Sequence, residues 1–247
     1  MSGQREPRDS FVHVKNFSKR FGHLTALDDV SFSVRPGEVL GLIGPNGSGK
    51  TTLFECLGGV LAPDAGTILD GDRPMTSGER SSAMFYLPDA IAPWPTQRVG
   101  WALDFVIGFF GGPAAGRNEV VHRLDLEPIL ESTIGSLSKG QRKRALLAMG
   151  LLTPQPLLLA DEPFDGLDLR QSREVAKTLR AYAQIGRTMF LSIHQISDAA
   201  RVCDRFVLLS GGCTRGEGTL TELGALASSR RADVDRSDLG EVFLALT

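Results

Sequence analysis

The chain has 247 residues, with 27 basic and 29 acidic side chains and a formal net charge of −2. That length holds one large domain, or two lobes around a main core. So balanced a charge offers no global field to draw nucleic acid or anionic lipid. Three cysteines, Cys56, Cys203 and Cys213, are few, odd in number and without metal-ligand spacing. They read as small buried hydrophobes of a reducing compartment.

In chain order, residues 1–10 (MSGQREPRDS) are polar and form an N-terminal extension that lacks a secretory signal. The segments "FVHVKNFSKRFG", "LDDVSFSVRPGEV" and, later, "GTILDGDRP" alternate only partly. They suit antiparallel strands packed beside a main sheet. "VLGLIG" (39–44), "MFYLP" (84–88), "PLLLAD" (156–161), "TMFLSIH" (188–194) and "RFVLLSGG" (205–212) are apolar runs without alternation. Such runs suit strands covered on both faces. Helical spacing falls between them over 50–60, 138–153 and 169–185. Strands alternating with helices predict an α/β fold with a mostly parallel sheet.

Residues 90–136 are rich in helix-like apolar spacing and poor in strands, which predicts an inserted helical lobe. Its "VGWALDFVIGFFGG" (99–112) is the most apolar stretch, yet it is too short to cross a bilayer and Asp104 interrupts it. The chain is therefore expected to be soluble by itself and to reach a membrane only through a partner. Trp101, Phe105 and Phe109 share one helical stripe, and Leu103, Val106, Ile107 and Phe110 another. The helix is either core or a partly exposed docking surface. Residues 219–247 form a tail with a charged stretch, "SSRRADVDRSD", and a closing amphipathic "LGEVFLALT".

"GPNGSGKTT" (44–52) fits G-x-x-x-x-G-K-[ST] between a predicted strand and a predicted helix. A helix N-terminus has unpaired N–H groups and partial positive charge, which suit a phosphate. Gly44, Gly47 and Gly49 let the backbone wrap it without a Cβ clash. Lys50 reaches the β- and γ-phosphates of a nucleotide, and the Thr51 hydroxyl can ligate Mg²⁺. Gly44, Pro45, Asn46, Gly47, Ser48, Gly49, Lys50, Thr51 and Thr52 are thus the candidate ATP-binding residues.

"LLLADEPFDGLD" (157–168) carries an apolar strand into four carboxylates, Asp161, Glu162, Asp165 and Asp168. A strand of this kind is expected to sit centrally, beside the strand that feeds the glycine loop. Asp161 at its end is the candidate second metal ligand, so Asp161 and Thr51 should converge. Glu162 is placed to orient or deprotonate a water attacking the γ-phosphate. The alternative is a solvated acidic turn, in which the four charges repel unless a cation relieves them.

With "LSKGQ" at 137–141, these motifs resemble the ATP-binding subunits of ATP-binding cassette (ABC) transporters over roughly residues 11–218. The resemblance implies a P-loop NTPase with a RecA-like, mostly parallel sheet. It also implies an N-terminal antiparallel β subdomain and a helical subdomain inserted at about 90–150. Ser138, Lys139, Gly140 and Gln141 stand at the family signature, with Lys139 in place of a glycine. Ser138 and Gly140 would contact the γ-phosphate held by the opposite subunit, although Ser138 can also be a plain helix N-cap. Asp165, Gly166, Leu167 and Asp168 resemble the D-loop, which crosses the dimer interface, and Asp168 can also cap the next helix. His194 falls at the family's switch histidine and Phe21 at its adenine-stacking aromatic, with a core phenylalanine as the rival for Phe21.

One position departs from the family. Asp89 stands where a glutamine usually meets the metal and the water. Aspartate can offer an oxygen but is shorter and, when ionised, donates no hydrogen bond. It is expected to alter metal geometry or to slow coupling to a partner. The cations of "KGQRKR" are expected to form a solvated helix face near bound phosphate rather than a nucleic-acid site.

The resemblance implies an ATP-binding and ATP-hydrolysing subunit that powers transport through nucleotide-driven dimer closure. Its cofactor would be Mg²⁺, and its partner cassette a second copy or a related ATPase subunit. A separate integral membrane permease would dock between the helical lobe and the Asp89 loop and hold the chain at the cytoplasmic face of the membrane. No nucleic acid is expected. A lone cassette ending in "DLGEVFLALT" resembles subunits of ABC-2-type, drug-exporter-like systems, so export is the expected direction. The alternatives are an importer ATPase subunit, a soluble ABC ATPase, and a non-hydrolysing nucleotide sensor, the last opposed by Glu162 and His194.

Overall fold

The computed structural model describes residues 12–89, 91–231 and 233–247. The expected N-terminal extension, 1–10, lies outside the described residues. In chain order, β1 (Val12–Phe21) and β2 (Leu24–Val34) form a hairpin, and β3 (Val39–Ile43) leads into α1 (Lys50–Leu57). β4 (Ala65–Asp70) and β5 (Arg73–Pro74) return to the hairpin, and α2 (Ser77–Ala83) leads to β6 (Met84–Leu87). The helical insertion holds α3 (Val99–Phe110) and α4 (Arg117–Arg123), with 3₁₀ turns at Ala114–Gly116, Glu127–Ile129 and Ile134–Ser136, and runs into α5 (Lys139–Leu151). Then come β7 (Leu157–Asp161), α6 (Leu169–Gln184), β8 (Thr188–Ile193), α7 (Ile196–Val202), β9 (Arg205–Ser210), β10 (Cys213–Gly218), α8 (Leu220–Arg230) and α9 (Leu239–Leu246).

Two sheets organise these elements. One is antiparallel in the order β2-β1-β4-β5, and the other runs β10-β9-β3-β8-β7-β6. In the second sheet β9, β3, β8, β7 and β6 are parallel, and β10 closes one edge antiparallel to β9. Its strands divide their side chains between two cores. Val39, Ile43, Leu158 and Ala160 face the core made with the helical side. Leu40, Leu42, Leu157 and Leu159 face the core shared with α1 and the antiparallel sheet. Both faces are covered, which is why these strands read as continuous apolar runs.

The strand order corrects one expectation. β7 does not lie beside β3, because β8 pairs with both of them. The strand ending before His194 is thus threaded between the glycine-loop strand and the acidic strand.

The α3 alternatives also resolve. Val99, Ala102, Leu103 and Val106 are buried, whereas Trp101, Phe105 and Phe109 are 42%, 36% and 70% exposed. The helix is core on one side and an aromatic surface on the other. The cations after the signature do not form a solvated face, since Lys143 and Arg144 are buried. The Arg144 guanidinium donates to the carbonyls of Leu124 (2.6 Å) and Asp125 (2.8 Å), tying α5 to the end of α4. A buried cation needs such partners. A second buried charge network joins Arg205 of β9 to both Glu38 oxygens (3.0 and 3.1 Å) and to Glu217 of β10. The three cysteines are free, but only Cys56 is fully buried; Cys203 and Cys213 are half-buried.

Candidate nucleotide-binding site

The loop between β3 and α1 is held tightly against its neighbours. A Cβ on Gly44 would come within 2.3 Å of the Leu209 carbonyl oxygen. Gly49 has φ +104°, and a Cβ there would meet the Ala26 carbonyl oxygen at 2.5 Å. Only glycine fits either place. Gly49 provides no side-chain cap to α1, whereas α2, α5, α6 and α8 are each closed by a capping box. The first-turn N–H groups of α1 are therefore left for an outside acceptor. The Ser48 hydroxyl in this loop is buried without a hydrogen-bond partner. Lys50 is 7% exposed, and its ammonium donates to the carbonyls of Gly44 (2.8 Å) and Pro45 (3.3 Å). Pro45, Asn46 and Gly47 form the exposed tip, and Thr52 is half-buried on α1.

Thr51 and Asp161 meet: the hydroxyl donates to Asp161 Oδ2 at 2.9 Å. Asp161 Oδ1 accepts from the Ser192 hydroxyl of β8. A hydroxyl and a buried carboxylate side by side supply the hard oxygen donors that Mg²⁺ prefers. The unpartnered Ser48 hydroxyl and the uncapped α1 fit a phosphate beside them.

Glu162 follows in the left-handed region, φ 48°, and its N–H is held by the Ser192 hydroxyl (3.0 Å) and carbonyl (3.2 Å). Glu162 Oε2 accepts from the backbone N–H of His194 at 3.0 Å, and Oε1 lies 3.9 Å from Lys50 Nζ. Burial pushes the Glu162 carboxyl above its ordinary value; Lys50 opposes this and Asp161 adds to it.

The four carboxylates do not form one repelling cluster. Asp161 is held by Thr51 and Ser192, and Glu162 by His194 and Lys50. Asp165 pairs with Lys139 at 2.6 Å. Asp168 caps α6, accepting from the Gln171 N–H at 2.8 Å. Ser138 likewise caps α5 and shares a capping box with Gln141. The α5 tip is exposed at Ser138 and Lys139. Gly140 and the 165–168 loop touch: a Cβ on Gly140 would lie 2.9 Å from the Gly166 carbonyl oxygen and 3.5 Å from Leu167.

Asn46, Asp89, Glu162, Asp165 and His194 line one cleft of about 350 Å³, together with Phe164, Ile193, Gln195 and Asp198. Asp89 also pairs with the Lys143 ammonium of α5. Phe21 is not a core residue: it is 46% exposed at the tip of the β1–β2 hairpin, with Lys19 Nζ 5.5 Å from its ring centroid. The same hairpin abuts the glycine loop through Ala26 and Leu27.

Sequence reasoning missed Ser192 and Lys143. Ser192 had a signal: one hydroxyl inside the apolar run "TMFLSIH", which burial would disfavour unless it were bonded. Lys143 had none, since its partner lies 54 residues away.

A glycine loop between a buried parallel strand and an uncapped helix, beside a hydroxyl–carboxylate pair, defines a P-loop NTPase fold. The ABC transporter family profile matches residues 27–165. A protein of Bradyrhizobium diazoefficiens, "Nod factor export ATP-binding protein I", is 36% identical over 216 residues, covering 84% of this chain and 70% of its own length. "Probable multidrug ABC transporter ATP-binding protein YbhF" of Escherichia coli is 30% identical over 229 residues, covering 90% of this chain. The chain spans only 39% of the YbhF length. A solved structure titled "Structure of ATP binding subunit of ABC transporter" superposes with a TM-score of 0.83 at 27% identity, covering 96% of this chain and 99% of that one. The chain belongs to the ABC transporter family, as an ATP-binding domain.

Proposed function

We propose that the chain binds and hydrolyses ATP to drive an export system whose membrane-spanning part is a separate partner. The observation that carries this reading is the convergence of Lys50, Thr51, Asp161, Glu162 and His194 around one loop and cleft. In it, the glycine loop and the first turn of α1 hold the triphosphate. Lys50 exchanges its carbonyl contacts for phosphate oxygens, and Phe21 offers an exposed ring to the base. Thr51 and Asp161 would hold Mg²⁺, which supplies positive charge to the phosphate oxygens when bound. Glu162, fixed by the backbone N–H of His194, orients and deprotonates the attacking water.

The cassette closes with a second ATPase subunit, of the same or related sequence. Ser138 and Gly140 at the α5 tip then face the partner's nucleotide, and residues 165–168 lie at the interface. The exposed Trp101, Phe105 and Phe109 receive the membrane partner. Trp101 and Phe105 stack at 5.1 Å and Phe105 and Phe109 at 5.6 Å, and Trp94 packs edge-on at 4.9 Å from Phe105. An exposed aromatic patch of this kind suits a protein contact. Among the described residues no helix is long and apolar enough to cross a membrane. Export is favoured by similarity to the Nod factor export protein and to "SkfA peptide export ATP-binding protein SkfE" of Bacillus subtilis, 30% identical over 205 residues.

The test is ATP turnover by the purified chain and by Lys50→Ala and Glu162→Gln. The reading requires turnover that Lys50→Ala loses together with nucleotide binding. Glu162→Gln must lose turnover while binding persists. Turnover unchanged in Glu162→Gln contradicts it.

A further inference from the structure

Two lysines of α5 each hold a carboxylate that borders the cleft. Lys139 pairs with Asp165 and, one helical turn later, Lys143 pairs with Asp89. Residues four apart share a helix face, so this face of the signature helix is tied ionically to the rim of its own chain's cleft. The two pairs differ in environment. The Lys139 and Asp165 side chains are 59% and 43% exposed, so their attraction is screened. The Lys143 side chain is only 6% exposed and that of Asp89 34%. A buried ammonium is tolerated because a carboxylate meets it, and either group alone is strongly disfavoured.

We propose that Lys143 is a positioning residue for the nucleotide reaction, holding the Asp89 carboxylate against α5 and away from the centre of the cleft. The inference rests on the ATPase reading above. A freed Asp89 would add an anionic oxygen to a cleft that already contains Glu162, where it would repel triphosphate oxygens and misplace the cation that accompanies them. The pair also joins the loop that follows β6, at Asp89, to the helix whose tip carries Ser138. A rearrangement at the cleft rim is thereby passed to the surface that faces a partner cassette. It follows that Asp89→Gln alone does not reproduce a neutral glutamine loop, since it leaves Lys143 buried and unpaired. The two positions act as a unit and must be changed together.

The experiment compares the unsubstituted chain with K143M, K143R, D89N and D89N/K143M. It measures kcat, KM for ATP and the thermal unfolding midpoint of each. Methionine keeps the packing of the lysine stem and leaves only the partly exposed Asp89 unpaired, so K143M should fold, and K143R keeps the charge. Neighbouring charged groups couple strongly enough that K143M should lower kcat by about tenfold or more and raise KM for ATP by a smaller factor. K143R should retain most of the turnover, and the double variant should regain most of what K143M loses. D89N should melt lower than D89N/K143M. If K143M melts lower but turns over normally, Lys143 is a structural brace and the inference is overturned. A double variant no faster than K143M overturns it too. Absence of turnover in the unsubstituted chain overturns the ATPase reading and this inference with it. Normal turnover in that chain and in K143M overturns the inference alone.

Discussion

His194 meets Glu162 through its backbone, its N–H donating to Glu162 Oε2 at 3.0 Å, while its own ring borders the cleft. Placement of the glutamate therefore depends on the path of the chain after β8, and the ring is free for other work. His194→Ala keeps the N–H and should keep Glu162 in position. It is expected to lower kcat by roughly 10- to 100-fold, less than the ~10²–10⁴-fold loss from removing the base in Glu162→Gln. Parallel kinetics of the two variants check this. Equal losses would mean that the ring, and not the backbone, fixes the glutamate.

Ser192 is the residue on which both acids converge, bonding the Asp161 carboxylate and the Glu162 N–H. Ser192→Ala leaves a buried carboxylate oxygen without that donor. It should cost about 1–3 kcal/mol of stability and lower kcat by ~10–100-fold through misplacement of its neighbours. Chemical denaturation and steady-state turnover measure the two effects separately.

The raised Glu162 carboxyl has two consequences of known sign. The base role proposed for Glu162 requires the ionised form, so the acid limb of kcat/KM should lie above about 4.3, the value of an exposed glutamate. For stability, burial raises the folded-state value above the unfolded one. The protonated glutamate then favours folding, a contribution present below the unfolded value and lost as pH rises through the folded value. Nucleotide-free Glu162→Gln, which mimics the neutral form, should melt higher than the unsubstituted chain at pH 7. The gap should close as the pH falls to about 4. Thermal melts at the two pH values decide this.

Much of this was legible in the sequence because it rests on local pattern. The glycine loop, the apolar runs of β3, β7, β8 and β9 and the helical spacing of α5 and α6 all carry their own signal. α2 and α8 were passed over although each begins with a T-x-x-E capping box, at Thr76–Glu79 and Thr219–Glu222. β10 has no apolar run, since it joins the sheet as an edge through backbone pairing with β9. Strand order was not legible either. Nothing in the composition of β8 says that it lies between β3 and β7. The Lys143–Asp89 pair depends on the same long-range packing, which is why the cations after the signature read as a solvated face.

The α3 surface gives a further expectation. Trp101 and Phe109 are 42% and 70% exposed. Phe109→Ala should shift stability by about 1 kcal/mol or less, and Trp101→Ala, which also loses ring contacts with Trp94 and Phe105, by about 1–2 kcal/mol. As aromatic anchors, each should weaken association with the membrane partner by roughly tenfold or more. Co-purification from membranes, set beside the melting temperature of the isolated chain, checks both halves.

Arg205 is a test of the scaffold. Its guanidinium is buried between Glu38 and Glu217, and burial pushes the Glu38 carboxyl up against the lowering effect of Arg205. Arg205→Ala takes the cation from two carboxylates, leaving buried Glu38 with the Arg35 N–H and Glu217 with Ser33, and should cost about 3 kcal/mol. Denaturant unfolding reads that loss directly.

In the proposed cycle one nucleotide is shared by two cassettes, gripped by the glycine loop of one and the Ser138 helix tip of the other. Light scattering of Glu162→Gln at saturating Mg²⁺ and ATP reads that sharing as mass. The mass of two chains is expected, reverting to one chain in Glu162→Gln/Ser138→Arg. A mass that stays at one chain under those conditions, alone and with the membrane partner present, would mean that no nucleotide is shared.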